Sequence, residues 1–287
     1  MIGNSAKYRG IYHYRKQYPI IAMCKFLGVS RSAYYDWIKR KDKPLADAEL
    51  TELIRVGYIQ SRKTYGYRRI KIWLKRKYGL IVNQKAIRRI MRVNNMQSII
   101  RRKNRYKTYS SVYHRYDNVL DRNFKTSRPN EKWATDITYI HTAQGTMYLS
   151  VIKDLYDSSI VSYRMEPTMH VKLVLGTIQD AVDKEKVAGG LTLHSDQGFQ
   201  YTSHAYFALT EQYGIKQSMS RKGNCWDNAC AENFFGHLKE EFVRFYKIQT
   251  FKEAREVIDD YIDFYNNERI QLKTELTPLE LRYQFCA

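Results

Sequence analysis

Residues 132–140 read KWATDITYI. Apolar and polar side chains alternate, and β-branched and aromatic residues dominate, so the stretch predicts a β-strand. Its odd member is Asp136, at the strand's centre. A carboxylate inside an apolar strand is costly unless it is paired or binds a metal ion. Working outward, MYLSVIKDL (147–155) and SSIVSYRM (158–165) predict two further strands, and their short connections make an antiparallel meander. A helix is expected from Val171 to Asp183, a short strand at LTLHSD (191–196), a helix from Tyr201 to Tyr213 and a strand at IKQSMS (215–220). The remainder is predicted to be helical, Asn228–Tyr246 and then Phe251–Asn266. The order β-β-β-α-β-α-β-α-α fits an α/β fold, a mixed sheet with helices on both faces.

Two more carboxylates stand out in that frame. Asp196 follows the fourth strand in HSDQGFQY, and Glu232 lies on the first turns of the long helix in GNCWDNACAENFFGHLKEE (223–241). The intervals hold 59 and 35 residues. The first strand's centre, the fourth strand's end and a following helix can converge on one sheet edge. Three convergent oxygen ligands suit two hard divalent cations, Mg²⁺ or Mn²⁺. On the long helix, Phe234, Phe235, Leu238 and Phe242 form the apolar stripe. Lys239, seven positions after Glu232, returns to within about 20° of it at 100° per residue. A metal-binding carboxylate and a phosphate-binding cation thus share a face; a solvated helix with an i, i+7 charge pattern would look the same. His194 beside Asp196, and Asn228 at the helix start, are candidates for supporting the carboxylates from behind. Arg269 and Asn266 read as braces of the C-terminal helix rather than substrate contacts.

The upstream part has a different composition. The chain has 287 residues and a net charge of +20, which splits into +25 over residues 1–128 and −5 over residues 129–287. A surplus confined to one half points to a polyanion, nucleic acid before a membrane surface. Residues 20–40 predict two short helices joined at Gly28, with Ser30 as cap and Tyr34, Tyr35 and Ile38 as the buried stripe. That is the plan of a helix-turn-helix, although any compact helical hairpin shares it. A second helical unit runs from Asp47 to Gln60 through Leu50, Leu53, Ile54 and Ile59. It continues through YGYRRIKIWLKRKYG (65–79), with Ile70, Trp73 and Leu74 inward, and closes with an Asn83-capped helix carrying Ile87, Ile90 and Met91. Arg68, Arg69 and Lys71 are its DNA-contact candidates. Residues 97–128 lose the periodicity; RRKNRYKTYS reads as a basic connector in which Arg101, Arg102 and Lys103 meet DNA phosphates, or as a solvated linker. The expected division is 1–43 helix-turn-helix-like, 44–96 helical DNA-binding, 97–128 linker and 129–287 catalytic.

Composition excludes other classes. At 44% hydrophobic residues the chain is not disordered, and no apolar run approaches the ~18 residues of a membrane span. The N-terminus lacks a signal peptide's apolar core, so a cytoplasmic location with reduced thiols is expected. Cys225 and Cys230 have no partners at zinc spacing. The 25 tyrosines raise a tyrosine recombinase, but the basic residues such an enzyme needs around its nucleophile lie in the wrong half. Two rival functions are a non-catalytic DNA-binding regulator and a simple nuclease with the same mixed-sheet core.

With RPNEKWATDITYI, LHSDQGFQY, QSMSRKGNCWDNACAENFFGHLKEE and YNNERIQLKTELTPLE on the page, the chain resembles DDE transposases of the insertion-sequence-3 family, in their larger-frame form. The resemblance covers nearly the whole chain, and YGYRRI matches the family's helix-turn-helix-like region. It implies an RNase H-like core related to retroviral integrases, with Asp136, Asp196 and Glu232 as the metal-binding triad and Lys239 as a DNA contact. It also implies double-stranded DNA partners (inverted-repeat ends and target), a homo-oligomer in the active complex, and fusion to an upstream-frame DNA-binding product by frameshifting. Many relatives carry a histidine shortly after the Arg of YNxxR; here Arg269 is followed by IQLK.

Overall fold

The computed structural model describes residues 3–41, 47–99, 117–121, 123–187, 189–221 and 227–286. Arg101, Arg102 and Lys103, most of the expected connector, and Cys225 lie outside the described residues. Contacts divide the chain into two compact units, Met1–Val56 and Gly57–Ala287. That border falls inside a helix, away from the compositional borders at 43 and 128.

The first unit holds α1 (Asn4–Tyr14), α2 (Ile20–Phe26), α3 (Arg31–Lys41) and the first turns of α4 (Ala48–Gln60). Gly28 adopts φ +59°, which a residue without Cβ reaches at no steric cost, and the Val29 N–H closes on Cys24 O at 3.0 Å. Ser30 Oγ then accepts from the Ala33 N–H and starts α3. Ile11, Cys24 and Tyr34 form the core, with Trp37 and Ile38 packed against it. Tyr35, expected in the buried stripe, is exposed. The helical period selects Tyr34, Trp37 and Ile38 instead, at i, i+3 and i+4.

In the second unit, α5 (Tyr67–Tyr78) and α6 (Gln84–Val93) pack together. Ile70, Leu74, Ile87, Ile90 and Met91 are buried as expected, whereas Ile59 is exposed. Gly79, at φ +68°, ends α5 with its N–H on Lys75 O, and Asn83 Oδ1 caps α6 through the Lys85 N–H at 2.8 Å. Gly57 admits the Trp73 ring: a Cβ there would lie 2.7 Å from a ring carbon.

The sheet follows with β1 (Lys132–Thr142), β2 (Gly145–Asp154), β3 (Ile160–Glu166), α7 (Val171–Glu185), β4 (Thr192–Ser195), α8 (His204–Gln212) and β5 (Lys216–Met219). Three helices complete it: α9 (Ala229–Glu241), α10 (Phe251–Asn267) and α11 (Pro278–Cys286). The strand order is β3-β2-β1-β4-β5, an antiparallel meander extended by two parallel strands. On one face Ile140, Met147, Leu149 and Val151 meet Phe234 and Leu238 of α9 and Ile258 and Tyr261 of α10. On the other, Trp133, Ile152 and Val161 meet Val174 and Ile178 of α7 and Tyr206 of α8. Both faces are covered, which is why β2 is buried almost continuously.

The α11 helix was not anticipated. Its buried anchor is Arg282, which reaches Asp154, Asp157 and Glu185, so no apolar stripe announces it. The 201–213 helix begins three residues late, because Ser203 Oγ takes the Tyr206 N–H as its cap. No helix among the described residues is long and apolar enough to cross a membrane.

Candidate active site

The β1–β4 register places two of the carboxylates. Trp133 lies opposite Leu193 and Ala134 opposite His194. Continued two residues, the same register brings Asp136 toward Asp196, which directly follows the last residue of β4. The ladder itself stops at Ala134 and His194, and the chain beyond Ser195 leaves the sheet. Two acids therefore stand where parallel strands diverge. Asp136 shares its strand face with Ala134 and Ile140, the face that α9 covers.

The third comes from α9. Glu232 sits in its first turn, where the helix dipole favours a negative charge, and Lys239 sits in its last, where it favours a positive one. Phe234, Phe235, Leu238 and Phe242 are buried as the stripe required, and this rotation turns Glu232 toward β1. Burial pushes the Asp136 carboxyl well above its ordinary range, and Asp196 and Glu232 push it further; the Ile137 N–H and Lys239 pull the other way. The Asp196 carboxyl is raised by burial and held by the Gly198 N–H at 2.9 Å. Burial lowers the Lys239 ammonium, Asp136 raises it, and its Nζ rests over the Tyr139 ring, 4.3 Å from the centroid. Two acids and one cation thus act on the Asp136 carboxyl. Among the described residues, no three His, Cys, Asp or Glu side chains are gathered closely enough to form a metal cage as they stand. What the geometry shows is convergence of charge.

Comparison with known proteins gives the family. Profiles described as integrase core domain match residues 126–225 and 232–285, and one described as HTH-like domain matches residues 44–104. The InsK protein of insertion sequence element IS150 from Escherichia coli is 38% identical over 94% of this chain and 95% of its own. The chain belongs to the insertion-sequence transposases. Transposase InsF of insertion sequence IS3A, also from Escherichia coli, is 31% identical over 90% of this chain and 91% of its own. Among solved structures, the catalytic core domain of the HTLV-2 integrase in complex with magnesium is 16% identical, with a TM-score of 0.42. That match covers 54% of this chain and 97% of the other. By its family and its integrase core domain the transposase is a polynucleotidyl transferase with an RNase H-like core, as its motifs led us to expect.

Other expected residues fall differently. His194 lies under Asp196 with both ring nitrogens engaged, by Ser218 Oγ at 2.9 Å and Ser220 Oγ at 3.1 Å. Burial lowers its pKa to about 4, so it is a neutral tie between β4 and β5. Asn228, the residue before α9, reaches back to Thr135 O, next to Asp136, and its own Oδ1 is buried without a hydrogen-bond partner. Arg68 and Lys71 are exposed on α5. Arg69, expected to face DNA, is instead turned inward and donates from Nε to Ile270 O at 2.9 Å. Burial lowers its pKa, and the charge of Arg269 lowers it further.

Arg269 and Asn266 are braces, as read. Asn266 bonds both backbone groups of Ile160 on β3. Arg269 is fully buried and donates to both oxygens of Glu241. Asp227 was not singled out from the sequence. It ties the far end of the segment before α9 to its near end, accepting from the Arg221 backbone and guanidinium. An acid followed by a helix start was the available signal, and it reads equally well as a cap.

Proposed function

We propose that Asp136, Asp196 and Glu232 hold two divalent cations, Mg²⁺ or Mn²⁺, and that this site both cuts DNA at the element's ends and joins the freed ends to target DNA. The observation that carries the reading is the buried Asp136 carboxyl, which feels Asp196 and Glu232 against only the Ile137 N–H and the Lys239 ammonium. Burial of like charges is unfavourable unless a cation shares the site, and hard carboxylate oxygens suit these ions. Bound there, such ions would lower the pKa of an attacking water or 3′-hydroxyl and offset the charge on the departing 3′ oxygen.

The chain's own residues do the rest. The Ile137 and Gly198 N–H groups fix one oxygen each of Asp136 and Asp196, which orients both carboxylates toward a shared cation. Lys239, on the face of α9 that carries Glu232, offers its ammonium to a phosphate oxygen. Arg68 and Lys71 contact the DNA backbone from α5, without base selectivity of their own. The net +25 of residues 1–128 supplies the sequence-independent part of the affinity. The partners are the double-stranded ends and target in the cytoplasm, and the working form is a homo-oligomer.

The test is joining of a pre-cut end. Asp136→Asn and Glu232→Gln retain end binding and lose strand transfer by at least about 10³-fold, the scale of losing a principal electrostatic group. Undiminished joining by either variant overturns the assignment. Cutting without joining by the wild-type protein identifies a nuclease instead.

A further inference from the structure

The YGYRR stretch (65–69) precedes and opens α5, inside the HTH-like match, yet two of its side chains point to the catalytic half. The Tyr65 hydroxyl donates to Glu268 O at 2.9 Å and accepts from the Ile270 N–H at 2.8 Å. Arg69 Nε donates to Ile270 O. Between those two clamped residues stands Arg269. Its guanidinium meets Glu241 Oε2 at 2.9 Å and Oε1 at 2.7 Å. Glu241 also takes His237 Nδ1 at 2.9 Å and the Tyr261 hydroxyl at 3.3 Å. Glu241 and His237 lie on α9, the helix that carries Glu232 and Lys239.

The chain of contacts is continuous, and each link is largely buried. A single bidentate ion pair near one end of a helix fixes both its rotation and its axial position, because the fork of Arg matches the carboxylate in one orientation only. Reaction rates respond steeply to such placement; a shift of about 1 Å costs on the order of 10²-fold.

We propose that Tyr65 and Arg69 are positioning residues of the transposase. Through the Glu268–Ile270 turn and the Arg269–Glu241 pair they hold α9, and with it Glu232 and Lys239, in register with β1 and β4. The HTH-like region is then a working part of the catalytic apparatus as well as a DNA-binding surface. This inference rests on the proposed role of Glu232.

The experiment uses the full chain and a pre-cut duplex ending in the terminal repeat that flanks its own gene. Tyr65→Phe removes one oxygen, and Arg69→Ala removes the guanidinium; Asp136→Asn is the control. Binding is measured against salt concentration, and joining at saturating duplex. We expect both variants to bind with wild-type affinity and salt slope while the saturated joining rate falls about 10- to 100-fold. A salt slope reduced by about one for Arg69→Ala, with the saturated rate intact, makes Arg69 a phosphate contact and overturns the proposal. So does an unchanged joining rate in Tyr65→Phe, which carries the test alone if Arg69→Ala does not fold. If Asp136→Asn itself still joins, the failure belongs to the active-site assignment.

Discussion

Asp136 was legible as a candidate because a charge in the middle of an apolar strand has few explanations. Gly198 was not legible, although it governs Asp196. A Cβ at residue 198 would lie 3.0 Å from Asp196 Oδ1 and 3.2 Å from Gln200 Oε1. Gly198→Ala therefore displaces the carboxylate by a few tenths of an ångström, and we expect joining to slow about tenfold with little loss of melting temperature. Steady-state joining beside a thermal melt checks this. Glu241 makes a second prediction. Burial opposes its ionisation, but His237 and Arg269 more than offset that and hold its pKa at about 2. The unfolded value is about 4.3, so the pair's contribution is fully present above that pH and is lost as pH falls through about 2. The contribution is about 3 kcal/mol at 1.36 kcal/mol per pH unit. Denaturant unfolding at pH 5 and pH 2 should show the wild type losing about that much more than Glu241→Gln; equal losses contradict it.

Elements with an apolar stripe were legible, and those held by charge were not. The strands, α7, α9 and α10 follow from periodicity because each buries an aliphatic or aromatic face. The α11 helix escapes the same reading, since its anchor is Arg282 against three acids brought together from β2, the loop after it and α7. Arg282→Ala leaves Asp154 and Asp157 buried without their cation. We expect a loss of about 3–5 kcal/mol, read as a lower denaturant midpoint. The packing of α4 on α5 depends on the absence of a side chain. Gly57→Ala drives a methyl to 2.7 Å from the Trp73 ring, and the ring must move. The expected cost is about 1–3 kcal/mol despite the better helix propensity of alanine, which alone would stabilise by about 1 kcal/mol. A variant more stable than wild type contradicts the packing.

For the whole molecule, the border of charge at residue 128 and the border of the compact units at residue 56 are different boundaries. Residues 57–99 belong to the same compact unit as the sheet. Arg62 pairs with Asp260 and Arg76 with Glu280, so part of the basic surplus is spent inside the protein. Composition counts charges without knowing which face each other across a fold; Arg69 was misassigned for that reason. The family motifs escaped this error, since spacing within the catalytic half is fixed by the sheet. What they imply, and what we propose, is a cation site made by Asp136, Asp196 and Glu232 together. The most direct measurement is Mn²⁺ binding to the full chain, followed by calorimetry, for the wild type and for Asp136→Asn, Asp196→Asn and Glu232→Gln. The account predicts binding accompanied by proton release, because the raised Asp136 carboxyl must ionise, and at least tenfold weaker affinity in every variant. Wild-type affinity retained in any of the three contradicts it.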